Sequence, residues 1–456
     1  MSRWSGRRRP VVLYQPRDEG VRMPLGLLAV GSALPDEHVV LVDGRLELAP
    51  EARVAELVAE AACLGVTART GSPLRDAVRV SAAARRANPR LRIVWGGPHA
   101  SLLPDQCLAT GLVDACVVGA GEDAFARCLV AARSEHSFEG LPGVAVRAWA
   151  PPRPLAPPSP ESAPPAQYGL LDLERYFDIR GGRRLDYCSS RGWSADGGGP
   201  SWALSPERVA AEVGELAERY RPLTVLFQDG DFFGDADRVE AIARLLLDRR
   251  PRVAWEVAAR PEDLLSTGEE VLRLIAESGC GRVHAVLPPG ALLLGEGRRV
   301  VLEAAALLDR VGLAGRFVLE VDRPRRGHDT LTAAVSVARA LTRMSPRFET
   351  PLERRRVYPP GDDPDGGPVP ANLEEWALRE EAPWPDRRAE SRLARRHFFI
   401  AEAQRSPGRR PGKRLVHLLA RARVRAGFFR LDVERAAVHA SALLRTGRPR
   451  RPARAR

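Results

Sequence analysis

The chain has 456 residues, of which 44% are hydrophobic and 28% charged, as expected of a globular protein with two domains and extensions. No apolar run approaches the ~18 residues that a bilayer span requires, and the basic stretch from Met1 to Pro10 is not followed by a signal-peptide core. A cytoplasmic protein without a membrane partner is therefore expected. The net charge of +12 is uneven: residues 405–456 hold sixteen basic residues against Asp432 and Glu434, or 16 − 2 = +14, which leaves 12 − 14 = −2 for the rest.

Lys413 is the sole lysine, so the arginine bias reads as that of a G- and C-rich genome and gives little support to arginine-specific recognition. The six cysteines at 63, 107, 116, 128, 188 and 280 contain no C-x-x-C pair, and they read as buried, reduced thiols.

Residues 10–133 alternate apolar runs with amphipathic segments. Strands are expected at Val11–Tyr14, His38–Val42, Leu64–Val66, Arg92–Trp95 and Ala115–Val118. Helices are expected at Leu25–Ala33, Pro50–Ala62, Pro73–Ala87, Leu102–Ala109 and Glu122–Ala132. Such alternation implies a doubly wound parallel sheet, with its ligand beyond the carboxyl ends of the strands. The prolines from Pro151 to Pro165 exclude helix and central strand and read as a stiff linker, placing a domain boundary near residue 150.

A second alternating array follows, with strands at Leu185–Ser189, Thr224–Gln228, Val253–Val257, Arg282–Leu287, Gly315–Val321 and Phe348–Tyr358. Ser205-Pro206-Glu207 opens a helix by hydroxyl capping and an N-terminal proline, and Val209, Val213, Leu216 and Tyr220 form its buried stripe. Six such units suit a partial (β/α)6 barrel. Beyond the Asp362–Pro370 break, helices are expected at Glu374–Ala382, Arg387–Gln404, Arg414–Ala426 and Asp432–Leu444. The division is thus 10–150, a linker at 151–183, a barrel at 184–360, a helical arginine-rich extension at 361–444 and a basic tail at 445–456.

Glycines and hydroxyls collect at the strand ends of the first domain: Asp43-Gly44, Thr67-Ala68-Arg69-Thr70-Gly71, Gly96-Gly97-Pro98-His99 and Gly119-Ala120-Gly121-Glu122. Glycine there permits close backbone approach to a large flat ligand or its phosphate. An ordinary flavodoxin-like domain would also place glycines at such turns. In order and spacing, however, the set resembles the cobalamin-binding half of cobalamin-dependent radical SAM enzymes.

That resemblance implies a cobalamin site at Asp43, Thr67, Thr70, Gly71, Gly96, Gly97, Gly119, Gly121 and Glu122. The histidine of the D-x-H-x-x-G cobalt-ligand motif is missing from Asp18-Glu19-Gly20-Val21. His99 reads as a turn or surface residue.

The resemblance extends over about residues 10 to 360. Leu185–Gly192 is similar to the first strand of the family's barrel, Val225–Phe233 to the second and Trp255–Glu262 to the third. In that family the loop after the first strand carries C-x3-C-x2-C, whose thiolates hold a [4Fe–4S] cluster. Here the same spacing holds Trp193, Gly197 and Pro200, none of which can ligate iron. The turns Val286–Gly290 and Asp322–Thr330 also depart from the family's SAM-facing pattern.

The resemblance therefore implies a cobalamin protein in which SAM use is not expected and the cluster is expected to be absent. It would be an accessory to an intact radical SAM relative or pathway enzyme, or a pseudoenzyme. A second reading is an active methyltransferase using cobalamin without radicals, with Asp229, Asp231 and Glu256 as acid–base candidates and no catalytic residue assigned. A third is a binding module for acidic partners through the basic tail. Nucleic acid is not expected as a partner, because no stacking or zinc motif accompanies the charge.

Overall fold

The computed structural model describes residues 9–18, 20–147, 154–191, 202–293, 295–321, 330–354, 370–381, 399–400, 403 and 411–426. These belong to two compact units, one of Met1–Val257 with Arg356–Ala382 and another of Ala258–Arg355 with Pro383–Arg456. The division between them falls after Val257.

Unit 1 opens with β1 (Val11–Gln15), α1 (Leu25–Ser32), β2 (Val39–Asp43), α2 (Pro50–Val58), β3 (Cys63–Thr67), α3 (Pro73–Ala87) and β4 (Arg92–Gly96). It continues through α4 (Pro98–Leu102), α5 (Pro104–Leu108), β5 (Ala115–Val117), α6 (Gly121–Arg133) and β6 (Val144–Ala145). The sheet order is β2-β1-β3-β4-β5-β6, parallel except for the antiparallel β5–β6 pair. This is a doubly wound order whose switch point lies between β1 and β3.

The alternation along β1 shows why the sequence folds this way. Val12 and Tyr14 enter the core facing α2 and α3, while Val11 and Leu13 enter the core facing α1 and α6. A strand buried on both faces must be apolar throughout. The expected helix at Leu102–Ala109 is instead two short helices, since Pro104 lacks the N–H needed to continue the first.

The segment read as a linker is packed in its described part. Leu155 N–H donates to Val118 O at 3.1 Å, and its carbonyl accepts from Ala120 N–H at 2.9 Å. The Trp202 indole donates to Pro158 O at 2.6 Å. Gly119 has φ +89°, and a Cβ there would lie 2.5 Å from Leu155 O. Gly119→Ala is therefore expected to destabilise unit 1 by about 1–3 kcal/mol from backbone strain alone. Denaturant unfolding measures this, and unchanged stability would show that Gly119 does not hold a positive φ.

Unit 1 then forms a 3-10 turn at Tyr168–Leu170, α7 (Leu173–Arg180), β7 (Arg184–Tyr187), β8 (Ser190–Arg191), β9 (Trp202–Ala203), α8 (Pro206–Tyr220), β10 (Thr224–Phe227), α9 (Ala236–Arg249) and β11 (Ala254–Ala258). Strands β7, β10 and β11 run parallel in that spatial order. Ser205 caps α8 by accepting from Arg208 N–H, as its sequence predicts.

Unit 2 contains α10 (Pro261–Glu277), β12 (Cys280–Leu287), α11 (Pro289–Leu293), α12 (Gly295–Arg310), β13 (Ala314–Val321) and α13 (Thr330–Met344). The expected last strand divides into β14 (Phe348–Glu349) and β15 (Leu352–Arg354), both parallel to β13. The break falls at Thr350-Pro351, where the proline has no N–H to add to the ladder.

Helix α14 (Leu373–Glu381) belongs to unit 1, and α15 (Pro411–Ala426) packs on α13 in unit 2. Among the described residues no helix is long and apolar enough to cross a membrane. The expected helix at Asp432–Leu444 and the basic tail lie outside the described residues, as does most of Arg387–Gln404.

Candidate functional site

The carboxyl ends of β1 to β5 share one edge of the sheet. There the turns after β3 and β4 are tied together. Ala68 N–H donates to Gly96 O at 2.7 Å, and His99 N–H donates to Ala68 O at 3.1 Å. Thr67 lies opposite Gly96 in the register, and Gly71 and Gly97 have φ of +100° and +90°. Thr67, Thr70, Gly71, Gly96 and Gly97 therefore form one group. A Cβ at Gly97 would meet Ala68 O at 3.1 Å, so a side chain would crowd this turn. Bare glycine backbone flanked by two hydroxyls suits the close approach of a flat, phosphate-bearing ligand such as cobalamin.

The other site candidates are placed apart. Asp43, at the end of β2, is buried and held by Arg45 at 2.6 Å and by the Tyr176 hydroxyl. Burial and the Asp43 carboxylate raise the Tyr176 phenol well above its ordinary value. Gly121 packs α6 on α1, where a Cβ would lie 2.9 Å from a Val30 methyl. Glu122, in the first turn of α6, pairs with Arg191 of β8, whose guanidinium also lies 4.8 Å from the Trp202 ring. Arg191 and Trp202 face each other in the β8–β9 ladder. That ladder closes the base of the segment holding Trp193, Gly197 and Pro200, which lie outside the described residues.

His99 differs from the sequence expectation: it is fully buried. Trp376 of α14 packs edge-on against it at 5.9 Å, and its Nδ1 lies 3.1 Å from Thr70 Oγ1. Burial lowers its pKa to about 4, so the ring is neutral at physiological pH. The covering helix is 277 residues further along the chain (376 − 99), which hid the contact from a sequence reading.

Sequence reasoning also missed Arg69. Its guanidinium pairs at 2.8 Å with Asp18, bridging the turns after β1 and β3 at the switch point. Both residues lie in the turns that the sequence singles out, but only the strand order makes them neighbours.

The acid–base candidates are engaged within unit 1. Glu256 pairs with Arg184, and Asp231 is buried beside the 3-10 turn Phe232–Gly234, not solvated. Asp229 is also buried and not solvated, accepting from the Ser189 hydroxyl at 2.9 Å. Burial raises its carboxyl pKa above the ordinary 3.8, outweighing the lowering by Ser189 and Arg238. The native state therefore keeps a proton that the unfolded chain releases, and stability falls as pH rises through the window above 3.8. The stability of the wild type relative to Asp229→Asn should be greatest below that value and shrink towards neutrality. Urea unfolding from acid to neutral pH measures it, and a difference that grew with pH would contradict the assignment.

All six cysteines are free thiols, five of them buried. Burial raises Cys188 to about 12, and its thiol donates to Ser190 O at 3.1 Å. It is thus a protonated thiol at neutral pH. Among the described residues no group of three or more His, Cys, Asp or Glu side chains is placed to hold a metal ion.

Residues 19–129 match the family model of the B12 binding domain. That match covers the sheet of unit 1 from the turn after β1 through most of α6. The B12-binding domain's matched range includes the turns after β3 and β4 and the Asp18–Arg69 partner Arg69. The uncharacterized methyltransferase PH0819 of Pyrococcus horikoshii is 27% identical over 281 residues, 57% of this chain and 60% of that protein. The chain thus spans less than two thirds of that relative's length.

The radical S-adenosylmethionine methyltransferase TsrM from Kitasatospora setae, solved with cobalamin and a [4Fe-4S] cluster, matches with TM-score 0.60 and 16% identity over 95% of this chain and 100% of that one. The cobalamin-dependent S-adenosylmethionine radical enzyme OxsB, solved with aqua-cobalamin and S-adenosylmethionine, matches with TM-score 0.58 and 16% identity over 76% of this chain and 53% of that one. These likenesses show a shared α/β fold.

Proposed function

We propose that this chain binds cobalamin through its B12-binding domain and acts without reductive cleavage of SAM, as an accessory or non-radical member of the methyltransferases it resembles. The observation that carries this reading is the trio Trp193, Gly197 and Pro200 at the spacing of the cluster cysteines. Indole, hydrogen and pyrrolidine offer iron no thiolate. The glycine turns and hydroxyls at the ends of β3 and β4 support cobalamin.

Cobalamin, when bound, supplies a carrier for methyl transfer. Gly71, Gly96 and Gly97 would give it backbone approach, Thr67 would offer its hydroxyl to the polar groups of cobalamin, and Thr70, whose hydroxyl meets the buried His99 ring, would shape the turn. The remaining assignments, Asp43, Gly119, Gly121 and Glu122, would shape the surrounding turns through the contacts described above. An intact radical SAM relative or a pathway enzyme would be the partner.

Anaerobic reconstitution with iron, sulfide and hydroxocobalamin tests this reading. Corrin absorbance is expected to stay with the desalted protein, iron to remain at background, and no 5′-deoxyadenosine to form from SAM with dithionite. Loss of corrin on desalting overturns the cobalamin assignment. Stoichiometric iron with 5′-deoxyadenosine overturns the cluster-free one.

A further inference from the structure

Helix α15 has two faces of different fate. His417, Ala420 and Val424 are buried, while Arg423 lies over the Phe399 ring at 4.9 Å. Leu415, Leu418 and Leu419 are 58%, 63% and 38% exposed. Their spacing of three and four residues aligns them in one stripe. The same helix contains Lys413, Arg414, Arg421, Arg423 and Arg425 and no acid, within a terminal region of charge +14.

We propose that α15 docks unit 2 on an anionic lipid surface, with the three leucines inserted at the boundary between headgroups and acyl chains and the positive charge of the helix and terminal region drawing it to the phosphates. Exposed leucines beside uniformly positive charge are the pattern of helices that lie in a membrane interface. Nucleic acid would use the charge but leave the leucines in water. A protein partner would need about 800 Å² of complementary surface on each side, more than a convex strip of three leucines presents. The contact is peripheral and needs no spanning helix. It departs from the expectation of no membrane partner, because the buried face of α15, and so its exposed one, is fixed by packing on α13.

Sedimentation of the full chain with vesicles tests the proposal, using phosphatidylglycerol mixed into phosphatidylcholine against phosphatidylcholine alone. Binding is expected only with the anionic lipid and is expected to weaken with added salt. The double variant Leu415→Ser/Leu418→Ser should bind about tenfold or more weakly at an unchanged Tm. Absence of binding at low salt overturns the proposal. Equal binding by the variant overturns it as well, since charge alone would then explain adsorption. A lowered Tm without a change in vesicle binding would show that the stripe is covered by the protein itself, and also overturns it.

Discussion

Asp186→Ala is expected to destabilise unit 1 by about 3–5 kcal/mol, the usual consequence of stripping one partner from a buried ion pair. Asp186 lies on β7 and is fully buried. One carboxylate oxygen accepts from Met23 N–H at 2.7 Å, and the other from Arg180 at 2.8 Å and Gln228 at 3.3 Å. The Arg180 side chain is only 12% exposed. Alanine would leave a buried guanidinium without its counter-charge and an amide without an acceptor. It would also release the segment between β1 and α1, which borders the sheet edge carrying the glycine turns. Asp186→Asn keeps one acceptor but not the charge, so its loss should be intermediate. Urea unfolding of the three proteins measures the series, and a loss below about 1 kcal/mol for alanine would mean that water replaces the carboxylate.

The second large effect concerns iron. The triple variant Trp193→Cys/Gly197→Cys/Pro200→Cys should rise from background to about four irons per chain after anaerobic reconstitution, because three thiolates at this spacing are what a [4Fe–4S] cluster requires. The double variant retaining Pro200 has two of the three ligands and should retain little iron. Metal and sulfide analysis, with the visible absorbance of the cluster, reads the outcome. If the triple variant stays without iron while folding normally, the alignment of this segment with the cluster loop is wrong. If the unmodified chain already binds four irons, the ligands come from elsewhere and the proposed function fails.

The two experiments separate scaffold from chemistry. The Asp186 series asks what holds the first domain against the strands that follow it within unit 1. The cysteine variants ask what the next segment can ligate. Neither depends on whether α15 meets a lipid surface.

The chain by itself determined the alternation of strands and helices in both arrays. Strands buried on both faces must be apolar, and helices between them must be amphipathic, so local pattern and fold agree. Val11–Gln15 and Pro73–Ala87 follow from that rule, and Ser205 as a cap follows from its hydroxyl accepting an otherwise unpaired N–H. Helix α7 was readable too, with Asp172 capping it and Gly181 closing it at φ +66°, but the prolines before it suggested a linker throughout.

The glycine turns at β3 and β4 were likewise written in the residues, because only glycine tolerates positive φ without strain. Tertiary structure alone decided which polar side chains meet. His99 is buried by Trp376, Arg69 pairs with Asp18, Glu122 pairs with Arg191, and Leu155 occupies the space left by Gly119. A charge or a ring carries no sequence mark of its partner when that partner is brought near by strand order or by a distant helix. The exposure of the α15 leucines has the same origin: the helix repeat places residues on a common face, but packing on α13 chooses which face is left to solvent.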